Sequence, residues 1–509
     1  MAQIQVRDLT FAYECSADYA LENVSFNIDT NWRTGLIGRN GKGKTTLLKL
    51  LMGKYDYEGS ITTNVTFDYF PYKVDENELS KTAEELIEYW KPQVEIWQVI
   101  IQLNMIHMDA ECLYRPFCSL SFGERTRIML AVLFASENEL LLVDEPTNHL
   151  DMHARECVKE YLSSKKGFIL VSHDRDLLDC VCDHVLVMNR ETIEVQAGNF
   201  SSWWVNKERN DSFAISENEK HMKEISKLKV AADRGGRWAD KSENSKIGFD
   251  PVKEHDRNIS TRAYIGAKTK KMQSRVKSYQ KRMDREITDK EGLLKDIEKV
   301  DDLKLTPLKY HKELLVNAYD LSLRYKSSEH VLFENMRFSI KHGDRVVFTG
   351  KNGCGKSSII SAIMERTQNE MIKNKLIVTG TLEVASGLII SYVSQDTSFL
   401  TGSLGVYCKK KNLDESLLYT VLRKLDFERE QFKKDMSDFS EGQKKKVLIA
   451  TSLITPAHLY IWDEPLNYID VFSRMQIEKL ILQFQPTMMI VEHDVRFQEK
   501  VATSKVFLQ

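Results

Sequence analysis

Long apolar runs are missing from this chain of 509 residues. No stretch approaches the roughly 18–20 uninterrupted apolar residues that a membrane-spanning helix needs, so no transmembrane domain is expected. The opening residues, Met1 to Asp8, lack an apolar signal region, and secretion is therefore not expected. Cysteine is sparse: eight residues (15, 112, 118, 157, 180, 182, 354, 408), none in a C-x-x-C pair, which argues against a zinc or dithiol motif. Cys180 and Cys182, the one close pair, are expected to be small buried hydrophobes, and a reducing cytoplasm fits them best. Charge of one sign is lacking too, since the formal net charge is −2; partners must be sought in how that charge is distributed.

What the chain does have, it has twice. A glycine loop, Gly38-Arg39-Asn40-Gly41-Lys42-Gly43-Lys44-Thr45 (then Thr46), returns as Gly350-Lys351-Asn352-Gly353-Cys354-Gly355-Lys356-Ser357 (then Ser358). Leu120-Ser121-Phe122-Gly123-Glu124 returns as Phe439-Ser440-Glu441-Gly442-Gln443. Asp144-Glu145 and Asp463-Glu464 each follow an apolar run, and His173 and His493 follow in turn. The interval from Lys44 to Glu145 is 101 residues and from Lys356 to Glu464 is 108; the glutamate-to-histidine intervals are 28 and 29. Four motifs kept in order across a tandem repeat do not arise by chance.

The apolar runs Thr34–Gly38, Leu140–Asp144, Gly167–Ser172, Asp344–Gly350, Leu459–Asp463 and Met488–Glu492 read as strands covered on both faces. Helical stretches alternate with them, which predicts α/β halves built on parallel sheets. Residues 1–204 and 306–509 are expected to be the two halves. Between them, 205–305 keeps apolar residues at spacings of three, four and seven, among them Ile215, Met222, Ile225, Met272, Val276, Tyr279 and Met283. This predicts two amphipathic helices paired as an antiparallel hairpin, interrupted over about 233–262 by Gly235-Gly236, Gly248 and Pro251. Residues 220–285 hold nineteen Lys/Arg against eight Asp/Glu, a net +11 that leaves about −13 for the remainder. A solvated helix pair explains the density of charge but not its sign, which points to nucleic acid.

The repeated motifs suit ATP chemistry. Residues without Cβ let successive backbone N–H groups converge on phosphate oxygens at a helix start. Lys44 and Lys356 add charge at the β- and γ-phosphates, while the Thr45 and Ser357 hydroxyls can ligate Mg²⁺. Asp144 and Asp463 suit the metal's hydration shell, Glu145 and Glu464 the activation of water as general bases, and His173 and His493 a contact to the γ-phosphate.

Together these motifs resemble the ATP-binding cassette proteins, and the resemblance implies a fold of two tandem cassettes. It also implies that each Ser-x-Gly signature closes over the nucleotide of the other cassette: Ser440, Gly442 and Gln443 over Lys44, and Ser121, Gly123 and Glu124 over Lys356. Tyr13 and Tyr325 stand where the family places an adenine-stacking aromatic, and Gln395 where it places a metal-binding glutamine. Two cassettes with a charged helical linker and no membrane span resemble the ABC-F branch over the whole chain. Asp29-Thr30-Asn31-Trp32 and Tyr460-Ile461-Trp462-Asp463-Glu464-Pro465-Leu466-Asn467-Tyr468 are similar to phrases of the Lsa-type resistance proteins. That likeness implies a monomeric cytoplasmic ATPase that binds the bacterial ribosome at the tRNA exit site, against rRNA and the exit-site or P-site tRNA. It further implies protection against lincosamides, streptogramin A and pleuromutilins. Arg237, Trp238, Lys241, Lys246, Phe249 and Arg257 are the expected rRNA contacts at the linker tip. The rival readings are a translation factor without drug phenotype and the ATPase part of an efflux transporter.

The chain departs from the family pattern at several places. Tyr72 replaces the first cassette's glutamine, Phe122 a signature glycine, and Leu466-Asn467-Tyr468 stands for Thr147-Asn148-His149. Glu441 adds a carboxylate expected near the phosphates of the Lys44 site. The two sites are thus expected to be unequal, with the Lys356 site faster. The interval between glutamine position and signature, 49 residues in the first cassette and 45 in the second, leaves no room for an inserted arm. The sixteen residues after His493 imply no C-terminal extension.

Overall fold

A computed structural model describes residues 3–13, 19–136, 139–148, 150–189, 192–244, 274, 277–278, 281–283, 303–326, 331–367 and 376–508; within 228–244 few side chains are described. Two compact units are present, one formed by Met1–Trp203 with Val300–Gln509 and the other by Trp204–Lys299.

In the first half, Thr66–Phe70, Glu139–Asp144, Phe168–Val171, Arg33–Gly38, His184–Met188 and Ile193–Ala197 form one sheet in that order. All neighbouring pairs are parallel except the last. In the second half the order is Ile390–Val393, Leu459–Asp463, Met488–Val491, Arg345–Gly350 and Ser504–Leu508, parallel throughout. These are the apolar runs of the sequence, and Leu36, Leu142, Ile169, Val347, Ile461 and Ile490 are fully buried in them. Each half adds a three-stranded antiparallel sheet, Tyr19–Asp29/Gln3–Ala12/Glu58–Thr62 and Val331–Lys341/Leu314–Tyr325/Leu376–Val384. Its inner face joins the same core, as Ile4, Leu9 and Ile28 do in the first half and Val316, Leu321 and Ile340 in the second.

Parallel strands end together, so their loops converge on one rim of the sheet, which is where ligands bind in open α/β folds. Both glycine loops, both Asp-Glu pairs and both histidines stand on such rims. Leu303 and Leu305 are buried in the second half's core.

One helix runs from Phe200 to Asn244. It passes through Gly235-Gly236, which were expected to interrupt it. Each glycine costs a helix only about 0.5–1 kcal/mol, too little to stop 45 residues already in register. Ile225 and Met283, from the two predicted helical stretches, are both buried. Of the expected tip residues, Arg237, Trp238 and Lys241 fall on this helix without described side chains, and Lys246, Phe249 and Arg257 lie outside the described residues. Cys182 is buried as expected, but Cys180 is exposed, because it faces outward from the short helix Arg175–Val181. Among the described residues, no helix is long and apolar enough to cross a membrane.

Two candidate nucleotide sites on one seam

The glycine loops take the shape the sequence implies. Gly43 and Gly355 have φ of +89° and +99°, backbone that a residue with Cβ adopts only under strain. At Gly355 a Cβ would also lie 3.2 Å from the Phe333 ring. Each loop lysine is folded over its own loop. Lys44 Nζ donates to Gly38 O at 2.8 Å and Arg39 O at 3.1 Å, and Lys356 Nζ to Gly350 O at 2.7 Å and Lys351 O at 2.9 Å. Tyr13 and Tyr325 are matched as well: their hydroxyls meet Thr46 Oγ1 at 2.7 Å and Ser358 Oγ at 3.0 Å. Both rings line their cavities and are partly exposed.

Thr45 Oγ1 donates to Asp144 Oδ2 at 3.0 Å, and the Tyr69 hydroxyl donates to the same oxygen at 2.9 Å. Burial lifts the Asp144 carboxyl above its usual value and pushes Asp463 up to about 6. Asp463 Oδ1 is buried with no hydrogen-bond partner. An oxygen-only ligand suits Mg²⁺, which takes one or two carboxylates, a hydroxyl, phosphates and water, so hydroxyl and aspartate fit the ion in both halves.

The next residues differ. Glu145 and Glu464 share a left-handed backbone, φ +53° and +47°, with each N–H held by the neighbouring strand at Val171 O and Val491 O. Burial, with the Asp144 charge adding, pushes the Glu145 carboxyl up to about 8. Burial acts on Glu464 too, but His493 and the Lys356 and Lys445 charges outweigh it and hold that carboxyl below its usual value. His493 Nε2 stands 3.7 Å from Glu464 Oε1, and His173 Nε2 stands 3.4 Å from Glu145 Oε1. Burial, followed by the Lys44 and Arg474 charges, keeps His173 far below its usual value and neutral. Gln395 Nε2 donates to Glu464 Oε2 at 2.9 Å, and Asn467 Nδ2 to the same atom at 2.7 Å.

Sheet register makes Tyr72 the counterpart of Gln395: Phe70 pairs one residue before Asp144, and Val393 one before Asp463. Tyr72 lines a cavity shared with Thr45, Asp144 and Glu145, but its polar atom is turned elsewhere. Its hydroxyl donates to Asp68 Oδ2 at 2.6 Å and its ring stacks on Trp90 at 4.9 Å. Tyr69, passed over in the sequence, reaches Asp144 instead. The alternation of its strand could have flagged it, since Phe70 is buried and Tyr69 faces the other way.

The halves meet along a seam that runs beside both loops. Asn40 Nδ2 donates to Tyr468 O at 2.7 Å, and a Cβ on Gly442 would sit 2.5 Å from that oxygen and 3.2 Å from Asn40 Nδ2. Arg39 pairs with Asp426, and Lys42 with Glu428 at 3.4 Å. Further along, Arg175 makes a buried two-pronged pair with Glu478, and Arg496 pairs with Asp179 at 2.5 Å. On the other side, a cavity of about 300 Å³ contains Lys356, Ser357, Gln395, Glu464, Asn467 and His493. Phe122, Leu150 and Arg155 of the first half close it. Signature residues therefore stand opposite the other half's loop on both sides. Within each signature, Ser121 and Ser440 cap their helices. Glu124 accepts the Ser121 N–H at 2.7 Å and Gln443 the Ser440 N–H at 2.9 Å, so these two side chains serve helix ends. Glu441 is held by Thr397 and by Lys444 at 3.4 Å, tied to its own half rather than aimed at the Lys44 loop.

A family model described as ABC transporter matches residues 21–148 and 333–467. Among curated proteins, the chain is 28% identical to the ATP-binding protein Uup of Buchnera aphidicola, over 96% of this chain and 78% of that one. It is 25% identical to the ribosome protection protein VmlR of Bacillus subtilis (98% and 85%) and 22% identical to ABC transporter F family member 5 of Arabidopsis thaliana (94% and 71%). Among solved structures, the archaeal ribosome recycling factor aABCE1 in complex with stalk protein aP1 superposes with a TM-score of 0.60 at 18% identity, covering 98% and 87% of the two chains. RNase-L Inhibitor gives 0.57 at 18% identity, covering 97% and 86%. These two establish the twin-cassette fold.

Proposed function

The chain belongs to the ABC transporter family, as a twin-cassette ATPase of the ABC-F kind that uses ATP with Mg²⁺, and on that premise we propose that it protects the bacterial ribosome. In this reading it binds as a monomer in the cytoplasm at the tRNA exit site. Through its linker it relieves inhibition by lincosamides, streptogramin A and pleuromutilins acting at the peptidyl-transferase centre. The observation that carries the reading is the net +11 of residues 220–285, set against about −13 for the rest of the chain. A purely mechanical linker has no need of that sign, whereas rRNA phosphates reward it through counterion release. VmlR, matched over 98% of this chain and 85% of its own, is named for ribosome protection.

The cassettes' own residues supply the cycle. Each loop and its lysine hold the phosphates, and the facing signature closes the site, so ATP joins the halves. Thr45 with Asp144, and Ser357 with Asp463, would hold Mg²⁺, which would supply charge to offset that of the phosphates. Glu464, kept ionised, takes the proton of the attacking water; His493 and Gln395 fix its orientation. Loss of the γ-phosphate removes a bridge between the halves and releases the factor.

Expressed as the double variant Glu145→Gln with Glu464→Gln, the protein should co-sediment with ribosomes in ATP; recovery only in the free fraction overturns the proposal. A second reading, a translation factor of the same branch without drug phenotype, is favoured by relatives named only for ATP binding. Expression in a sensitive host decides between them. A raised inhibitory concentration for the three drug classes supports protection, and an unchanged one supports the second reading.

A further inference from the structure

Arg155 and Arg474 are mounted alike. Arg155, on the helix Met152–Ser163, donates from Nε to Leu150 O at 3.0 Å and pairs through Nη1 with Asp174 Oδ2 at 3.5 Å. Arg474, on the helix Val471–Phe484, donates from Nε to Ile469 O at 2.9 Å and from Nη1 to Asp494 Oδ2 at 3.1 Å. Two anchors fix a long side chain that would otherwise lose much rotamer entropy on binding. Both guanidinium groups are largely shielded from water.

The placement of Arg155 is the point. It belongs to the first cassette yet lines the cavity of Lys356, Gln395, Glu464 and His493 in the second. We propose that Arg155 is a catalytic residue in trans for the Lys356 site, its guanidinium meeting the terminal phosphate of ATP held by the opposite cassette. A planar fork matches phosphate oxygens, and charge on the transferred phosphoryl group is what such an arginine stabilises. Because the group arrives from the other half, hydrolysis waits for the cassettes to close. The ion pair to Asp174 alone would account for the mount but not for the cavity it faces.

The test uses the full chain and steady-state ATP turnover. Arg155→Gln should lower kcat by at least about 30-fold, and by as much as about 10³-fold if the arginine acts as strongly as those supplied in trans elsewhere, with the half-saturating ATP concentration changed less than about threefold. Arg155→Lys should restore only part of kcat, and methylguanidinium in solution should raise the turnover of Arg155→Ala. In a Glu464→Gln background, Arg155→Gln should add nothing, because both residues serve one site. The proposal is overturned if Arg155→Gln keeps kcat within twofold. It is equally overturned if its effect multiplies with that of Glu464→Gln, or if the loss tracks a fall in melting temperature and methylguanidinium does not reverse it.

Discussion

Glu145 and Glu464 occupy equivalent positions yet differ in protonation. Glu145, pushed up to about 8 by burial and Asp144, holds its proton at neutral pH, and a protonated carboxyl cannot accept one from water. Glu464, held below its usual value, is ready. Glu464→Gln should therefore remove most steady-state ATP turnover at pH 7, on the order of 10²-fold or more, while Glu145→Gln costs about twofold or less; a phosphate-release assay on the two single variants checks this. That the two sites differ in their surroundings was expected from Tyr72 standing for glutamine. The cause was not legible: a string of letters gives neither the stacking of Tyr72 on Trp90 nor the approach of Tyr69 to Asp144, which depend on strand register.

Elements were legible where one residue pattern met one environment. Leu140–Asp144 and Leu459–Asp463 are buried on both sides, and their unbroken apolar runs said so. Helix ends were harder. The pair Ser121 with Glu124 and the pair Ser440 with Gln443 look like ligand residues in a motif, but the structure turns Glu124 and Gln443 back onto their own helix starts. The Gly235-Gly236 break failed because glycine weakens a helix without ending it when neighbours continue it. Gly442 is the opposite case, a glycine demanded by approach of another backbone. With Tyr468 O only 2.5 Å from the place of a Cβ, and backbone unable to yield as a side chain can, Gly442→Ala should part the halves at the Lys44 loop. ATP-dependent closure, read as distance between fluorophores on the two cassettes, should weaken about tenfold in ATP concentration, a change of about 1.4 kcal/mol.

Over the whole molecule, charge is sorted: acidic cassettes, a basic linker, and buried ion pairs inside the cassettes. Asp470 is fully buried; burial would raise its carboxyl, but Lys446 at 2.9 Å outweighs it and holds it well below the usual range. Arg474 and Arg175 do the same for Asp494. A depressed carboxyl stabilises the fold above its unfolded value near 3.9 and loses that contribution as pH falls towards the folded value. These pairs should therefore make the melting temperature drop steeply below about pH 4, whereas the raised carboxyls of Glu145 and Asp463 act the other way, costing stability as pH rises above about 5. Lys446→Met, which strands a buried carboxylate, should cost roughly 3–5 kcal/mol at pH 7 and flatten that acid limb. The left-handed glutamates carry a last consequence, an evolutionary one. A side chain in that conformation costs about 1–2 kcal/mol that glycine would not, a strain both positions keep for the sake of turnover. Glu464→Asn, which tolerates the left-handed backbone and can still accept from Gln395 and Asn467, should keep the parent's melting temperature while hydrolysing nothing at that site, and a lineage that had given up hydrolysis would be recognised by asparagine there.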